Sequence, residues 1–317
     1  MRLVLYAAPA LLLAGTASAN IIDYSDTIFD TDYVSAGAGG LRGTGTTTIE
    51  LSGVSGTVNR ALLYWHGPTN SSDPNFLSSV SLNGNAVSGT NIGFSDDNFW
   101  SADNSQAYRA DVTSLVTGDG DYVFAGLPPA NGNGASLLVF FDDLDDANNR
   151  DIVLFDGNDA NFDNPFDPLG WNISLSGINY SSGPAALEFI VSDGQNFSAS
   201  DDGTLLLNGT ALDSGGIFQG DSTPFNPATT VSNGSLWDIE RYDITSFLTP
   251  GPNSLGIQFG TVTDALSAIV VAVDLPAGAA PPPPPPTNVI PLPAGIALLP
   301  AGLVGLAALR RRGSRRA

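Results

Sequence analysis

The hexapeptide Ile49-Glu50-Leu51-Ser52-Gly53-Val54 returns as Ile173-Ser174-Leu175-Ser176-Gly177-Ile178, 124 residues later. Ala61-Leu62-Leu63-Tyr64 returns as Ala186-Leu187-Glu188-Phe189, and Ser81-Leu82-Asn83-Gly84 as Leu206-Leu207-Asn208-Gly209, both at an offset of 125. Asp111-Val112-Thr113-Ser114-Leu115-Val116 returns as Asp243-Ile244-Thr245-Ser246-Phe247-Leu248 at an offset of 132. Four matches in one order mark an internal duplication. The period exceeds the repeat length of solenoids, about 20–50 residues, so each copy is expected to be a sandwich-sized unit with a core of its own.

Within the copies the pattern is β. Short runs at residues 47–51, 61–65, 122–127 and 136–141 are alternating or continuously apolar, and Gly, Asn, Asp and Ser clusters separate them. Asn83-Gly84, Asn208-Gly209 and Asn233-Gly234 fit tight hairpin turns. With 36 Gly and 22 Pro, long helices have nowhere to form. The expected fold is all-β: two tandem β-sandwich units, jelly-roll or Ig-like, at residues 20–141 and 168–279, joined by an acidic hairpin or linker at 142–167. The duplicated Asp-[Val/Ile]-Thr-Ser-[Leu/Phe] element reads as a structural plug. Thr113 or Thr245 is expected to cap a single helical turn that buries Leu115 or Phe247, and Gly118 or Pro250-Gly251 to stop it.

The two ends concern export. Arg2 precedes an apolar stretch at residues 3–13, and Ala17-Ser18-Ala19 supplies small residues for a signal peptidase, so residues 1–19 read as a signal peptide cleaved after Ala19. Near the other end six prolines, residues 281–286, lie in a linker at 280–288, and Arg310, Arg311, Arg312, Arg315 and Arg316 close the chain. The uncharged run between them reads as a short hydrophobic helix. Residues 294–309 number 16, about 24 Å of helix against a bilayer core of about 30 Å. Counted from Val289 the run is 21 residues, just enough to span. The arginines would stay on the cytoplasmic side and the acidic body outside.

Ile290-Pro291-Leu292-Pro293-Ala294, followed by the Leu/Ala/Gly run and the arginines, resembles the VPLPA-type variant of bacterial PEP-CTERM sorting signals, with Ile290 where that family usually has valine. The resemblance covers residues 289–317. It implies a Gram-negative, exopolysaccharide-producing cell in which an exosortase-like membrane protease processes the chain around Pro291, Leu292, Pro293 and Ala294. The other reading of the same segment is a permanent membrane anchor. The body resembles uncharacterised extracellular β domains of anchored bacterial surface proteins, through Ala61-Leu62-Leu63-Tyr64-Trp65, Asp111-Val112-Thr113, the apolar run 134–141 and Asp151-Ile152-Val153-Leu154-Phe155-Asp156-Gly157. That resemblance spans residues 59–274 and carries no catalytic residues to transfer.

Charge narrows the partners. All 32 acidic residues lie in the body, against five arginines and no lysine, a formal charge of −27. Nucleic acid and anionic lipid are excluded as partners of the body, and cations are favoured. No cysteine is present, which removes disulfides, thiol catalysis and thiolate metal sites.

Signals for catalysis are few. His66 is the sole histidine, expected at a strand end before Gly67-Pro68, and neither HExxH nor G-x-S-x-G occurs. Glu50 and Glu188 sit in strand patterns where an outward, solvated position is the plain reading. Residues 142–167 hold nine aspartates and five asparagines against Arg150 alone. Two readings stand: a solvated acidic linker, or a calcium site drawing on Asp142, Asp143, Asp145, Asp146 and Asp151. The spacing departs from an EF-hand, since Asn148 stands where the glycine after Asp143 is required. Trp100 in the polar stretch 95–104 is either a sugar-stacking platform or a side chain tucked under its own sandwich.

The expected function is therefore that of a non-enzymatic exported protein of the cell surface or extracellular matrix, sorted or anchored through its C-terminal signal. It would be structural or adhesive in an exopolysaccharide-rich envelope. A calcium-assisted carbohydrate-binding module and a polysaccharide-acting hydrolase using aspartates are the alternatives.

Overall fold

A computed structural model describes residues 22–96, 102–166, 170–195, 202–220, 235–260 and 264–284. The strands are β1 (Asp23–Ala38), β2 (Thr46–Leu51), β3 (Thr57–Thr69), β4 (Ser79–Leu82), β5 (Asn85–Ser88), β6 (Thr90–Ser95), β7 (Asn104–Asp111), β8 (Gly120–Ala125), β9 (Gly134–Asp142), β10 (Arg150–Ala160), β11 (Trp171–Tyr180), β12 (Ala186–Ser192), β13 (Thr204–Leu207), β14 (Thr210–Ser214), β15 (Trp237–Asp243), β16 (Gly251–Gly260) and β17 (Ser267–Pro276). Among the described residues no α-helix occurs, only the one-turn 3-10 segments Thr113–Leu115 and Thr245–Phe247. The chain is all-β, in open antiparallel sheets packed as in a β-sandwich. It divides into Met1–Pro281, which holds all these strands, and Pro282–Ala317.

One nine-stranded sheet runs β15-β12-β17-β10-β1-β9-β3-β7-β6, and two four-stranded sheets run β2-β8-β4-β5 and β11-β16-β13-β14. Strand β1 is the seam. Its first part pairs with β10 from Asp23 to Thr31, and its second with β9 from Asp32 to Ala38. On either side of the seam the order repeats, β9-β3-β7 against β17-β12-β15, and the four-stranded sheets repeat it too.

The side-chain pattern explains which strands go where. β2 and β11 alternate buried and exposed residues, because their sheets cover a core on one face and meet water on the other. β9, β12 and β17 are buried at nearly every residue, because the large sheet is covered on both faces. Its outward-facing side chains pack with the small sheets into two cores: Leu63, Trp65, Tyr108 and Val139 with Ile49, Leu82 and Phe124, and Leu187, Phe189, Val271 and Val273 with Ile173, Leu207 and Phe259. Each such side chain contributes about 1.5–3 kcal/mol when fully buried. The opposite face of the large sheet forms a third core with members from both halves, including Tyr64, Leu138, Phe140, Leu154, Ile190, Trp237 and Val270. The two halves of that sheet thus lie face to face, and Trp237 Nε1 donates across to Ser136 Oγ at 2.7 Å.

Three expectations are corrected. Residues 142–167 are not mainly a linker: β10 takes up Arg150–Ala160 as an interior strand between β1 and β17, with Ile152–Phe155 buried, and loop 143–149 is the short connection. The helical turns start from Val112 and Ile244 with no side-chain cap, and threonine does not cap them. Asp111 Oδ1 accepts from the Thr113 N–H (3.0 Å) and hydroxyl (2.7 Å), and Thr113 Oγ1 accepts the Ala61 N–H across the turn; Asp243, Thr245 and Ala185 repeat the two backbone N–H contacts, with the Thr245 hydroxyl 3.4 Å from Ala185 O. Leu115 and Phe247 are half-buried, and the deeper plugs are Val112, Val116, Ile244 and Leu248. Finally, the ladder places Leu62 opposite Asp111 and Ala186 opposite Asp243, so β3 and β12 correspond at an offset of 124 rather than 125. A one-residue slip exchanges the faces of a strand. Tyr64 and Glu188 become equivalent positions, and both face the interface between the halves.

Candidate ligand-binding groove

That register makes Glu188 a site residue. It is the one charged side chain in β12, whose neighbours Leu187, Phe189, Ile190 and Val191 are all buried, and its own side chain is 5% exposed. It stands opposite Arg241 of β15 and meets Tyr33, brought by β1 from the other half. The Tyr33 hydroxyl donates to Glu188 Oε2 at 3.1 Å and accepts from Arg241. The second terminal nitrogen of Arg241 pairs with Asp274 of β17, whose other oxygen accepts from Arg150 Nε at 2.5 Å. Tyr33 is fixed from behind by stacking on Phe140 (6.1 Å), and the Arg241 guanidinium lies 5.4 Å from its ring centre.

These groups line a groove of about 950 Å³, with Asp32, Ser35, Ser52, Asn148, Pro184 and Asp243 also on its walls. Burial pushes the Glu188 carboxyl up, and Arg241, Ser35 and Tyr33 only partly offset it; among the described residues buried Oε1 has no hydrogen-bond partner. Burial and the adjacent Glu188 charge push the Tyr33 phenol well up. Arg241 is held protonated because Tyr33, Asp274 and Glu188 outweigh its own desolvation. Asp32 is raised, first by burial and then by the charges of Asp143 and Asp142. The groove therefore offers carboxylates, guanidinium groups, a phenol, hydroxyls and an amide within one concavity. Such a mixture of donors and acceptors suits a polyhydroxylated ligand better than an apolar one.

The first half carries a counterpart at the same register. Tyr64 of β3 stands opposite Arg109 of β7, as Glu188 stands opposite Arg241. Tyr64 donates to Asp156 Oδ2 (2.9 Å), and Arg109 pairs with that oxygen at 2.6 Å and with Ser25. Here the tyrosine stands at the position of Glu188, and the carboxylate it meets comes from β10. The groove is lined by the Glu188 set and not by the Tyr64 set.

The residues expected to bind calcium are not brought together as a cage. Asp151 is buried, and its two oxygens accept the backbone N–H groups of Asp30 (3.1 Å), Gly278 (2.8 Å) and Ala280 (3.0 Å). Asp142, Asp143 and Asp145 each accept the N–H two residues on, and Asp143 also accepts from Asn148 at 3.0 Å. Asp146 is exposed. Among the described residues no group of three or more His, Cys, Asp or Glu side chains is placed to hold a metal ion. Ala19, Trp100, Pro291, Leu292, Pro293 and Ala294 lie outside the described residues. His66 is not at a strand end. It lies inside β3, buried, with Nδ1 2.6 Å from Ser192 Oγ, and desolvation together with the Arg42 charge lowers its pKa to about 3.

Reasoning from sequence missed Glu188, Tyr33, Arg241 and Asp274 as a set. A signal was present in a single carboxylate interrupting an apolar run, opposite an arginine that recurs at the duplicated position.

No protein-family model matches the chain, and no curated protein matches it. Among solved structures it is similar to PNGase F, a glycosylasparaginase from Flavobacterium meningosepticum, at 9% identity and a TM-score of 0.23, covering 80% of this chain and 96% of that one. It is also similar to a BuGH86 variant in complex with neoagarooctaose, at 14% identity and a TM-score of 0.22, covering 80% of this chain and 34% of that one. Similarity at this level defines neither the fold nor the chemistry of the present chain. Among the described residues no helix is long and apolar enough to cross a membrane.

Proposed function

We propose that this chain is an exported, non-enzymatic saccharide-binding protein of the bacterial cell surface or matrix. In this reading it is two tandem sandwich units fused through one sheet, followed by a short apolar C-terminal helix that a sorting protease processes. The groove around Tyr33, Glu188, Arg241 and Asp274 carries the binding reading: its polar groups are oriented by one another and alternate donors with acceptors. Both carboxylates are tied to Arg241, which favours holding a ligand over turning one over.

Calorimetric titration with oligosaccharides from the producing cell's own exopolysaccharide tests it. Glu188→Ala and Arg241→Ala should each weaken binding by about ten- to a hundredfold, the value of roughly 1.5–3 kcal/mol for a hydrogen bond to a charged group. Unchanged affinity in both folded variants would refute the groove. Release of reducing ends during the titration would replace binding by hydrolysis, and loss of binding in EDTA would bring back calcium. For the tail, an epitope placed after Ala317 should be lost from the exported protein while one placed after Asn20 persists; retention of both in the membrane fraction would mean a permanent anchor.

A further inference from the structure

Strand β11 is the edge of its four-stranded sheet and the longest of the edge strands, at 10 residues. It pairs with β16 on one side from Trp171↔Phe259 to Tyr180↔Gly251. An edge strand presents unpaired N–H and C=O groups, and proteins normally blunt it with charge, proline or brevity. The other edges follow that rule. β15 carries Asp238, Glu240, Arg241 and Asp243; β2 carries Glu50; β14 is five residues with Asp213; β5 is four; and β6 packs on β10, where Gly93 closes on Asn158. β11, Trp-Asn-Ile-Ser-Leu-Ser-Gly-Ile-Asn-Tyr, has no charge and no proline.

Its far end is already used as an edge. Past the bulge at Ser176/Ile178, the Asn179 N–H donates to Ala279 O at 2.9 Å, and Pro281 reaches Gly177. The prolines that begin at Pro281 have no N–H with which to continue the pairing. Asn172, Ser174 and Ser176 remain exposed upstream, and the side chains beside them on β16, Ser254 and Gln258, are also uncharged. On a body of charge −27 this is a neutral strip, where two copies can approach without placing carboxylates against each other.

We propose that residues 172–176 pair antiparallel with the same residues of a second copy, Ile173 opposite Leu175, joining two four-stranded sheets into one of eight strands. Ile173 and Leu175 would then continue one buried layer from copy to copy, and Ser174 would lie near its own twin.

Because the chain contains no cysteine, single substitutions report cleanly. In the full chain, Asn172→Cys, Ser174→Cys and Ser176→Cys should include at least one variant that forms a disulfide-linked dimer about tenfold or more faster than Ser254→Cys, which is exposed but away from the edge, because pairing raises the local thiol concentration. Sedimentation of the unsubstituted chain should show the dimer fraction rising with NaCl, since salt screens the repulsion between the bodies. Ser174→Pro should abolish the dimer while far-UV circular dichroism stays unchanged. The pairing is refuted if all three edge cysteines cross-link no faster than the control, or if salt dissolves the dimer.

Discussion

Glu188 shows how far a residue can depart from its local reading. A carboxylate in a strand is ordinarily outward, yet the ladder turns this one into the interface, where burial raises its pKa. A raised folded pKa means that the folded state binds the proton more tightly than the unfolded one. Its contribution to stability is complete below the ordinary glutamate value of 4.5 and is lost as pH rises through the higher folded value. Glu188→Gln should therefore gain on the unsubstituted protein as pH rises above that range, read as the difference in urea midpoint; a difference independent of pH would count against a buried, perturbed Glu188. His66 runs the other way. Its folded pKa of about 3 lies below the ordinary 6.5, so its contribution is present above 6.5 and is lost as pH falls towards 3. As the chain's only histidine it gives a single pair of ring C–H signals by proton NMR, of which the Cε1–H is the one to follow. That signal should not titrate between about pH 8 and pH 5 in the folded protein, where an exposed imidazole would.

At the scale of elements, the duplicated Asp-Thr turn and the close approach at Gly134 set the geometry. Thr113 and Thr245 supply the acceptors for the backbone N–H groups of buried Ala61 and Ala185. Thr113→Val and Thr245→Val should each cost about 1–3 kcal/mol, because an amide loses its partner while the shape is kept. Near-equal losses in chemical denaturation would show that the two turns do the same work in their halves, and a loss in only one would break the equivalence. Gly134 begins β9 against Trp237, where a Cβ would come within 2.5 Å of ring atoms. Gly134→Ala should destabilise by about 1–3 kcal/mol through overpacking at the interface between the halves. An unchanged melting temperature would mean that the indole has room to move.

For the whole molecule, the large negative charge is held by dispersal and pairing. Asp156 and Asp274 meet arginines, Asp151 meets three backbone amides, and the loop aspartates cap turns. With these oxygens engaged, millimolar CaCl₂ should raise the melting temperature no more than NaCl of equal ionic strength. An excess shift from calcium, lost in a variant with Asp143 and Asp145 both replaced by asparagine, would show a ligand set assembled only when the ion arrives. The first proteolytic cut should fall in loop 143–149 and spare β10, which is interior to the nine-stranded sheet.

Periodicity and turn chemistry were enough to determine an all-β chain, because side-chain alternation and Asn-Gly turns are local properties. The matched Asn83 and Asn208 do adopt the same left-handed conformation, with φ of 48° and 51°. Only the tertiary structure decided that β1 joins both halves in one sheet, that 150–160 is a strand and not a linker, and that a second face of that sheet is buried. Those outcomes depend on pairing between residues far apart in the chain, 155 positions for Tyr33 with Glu188 and 92 for Tyr64 with Arg109's partner Asp156, and on a one-residue register that no local pattern distinguishes.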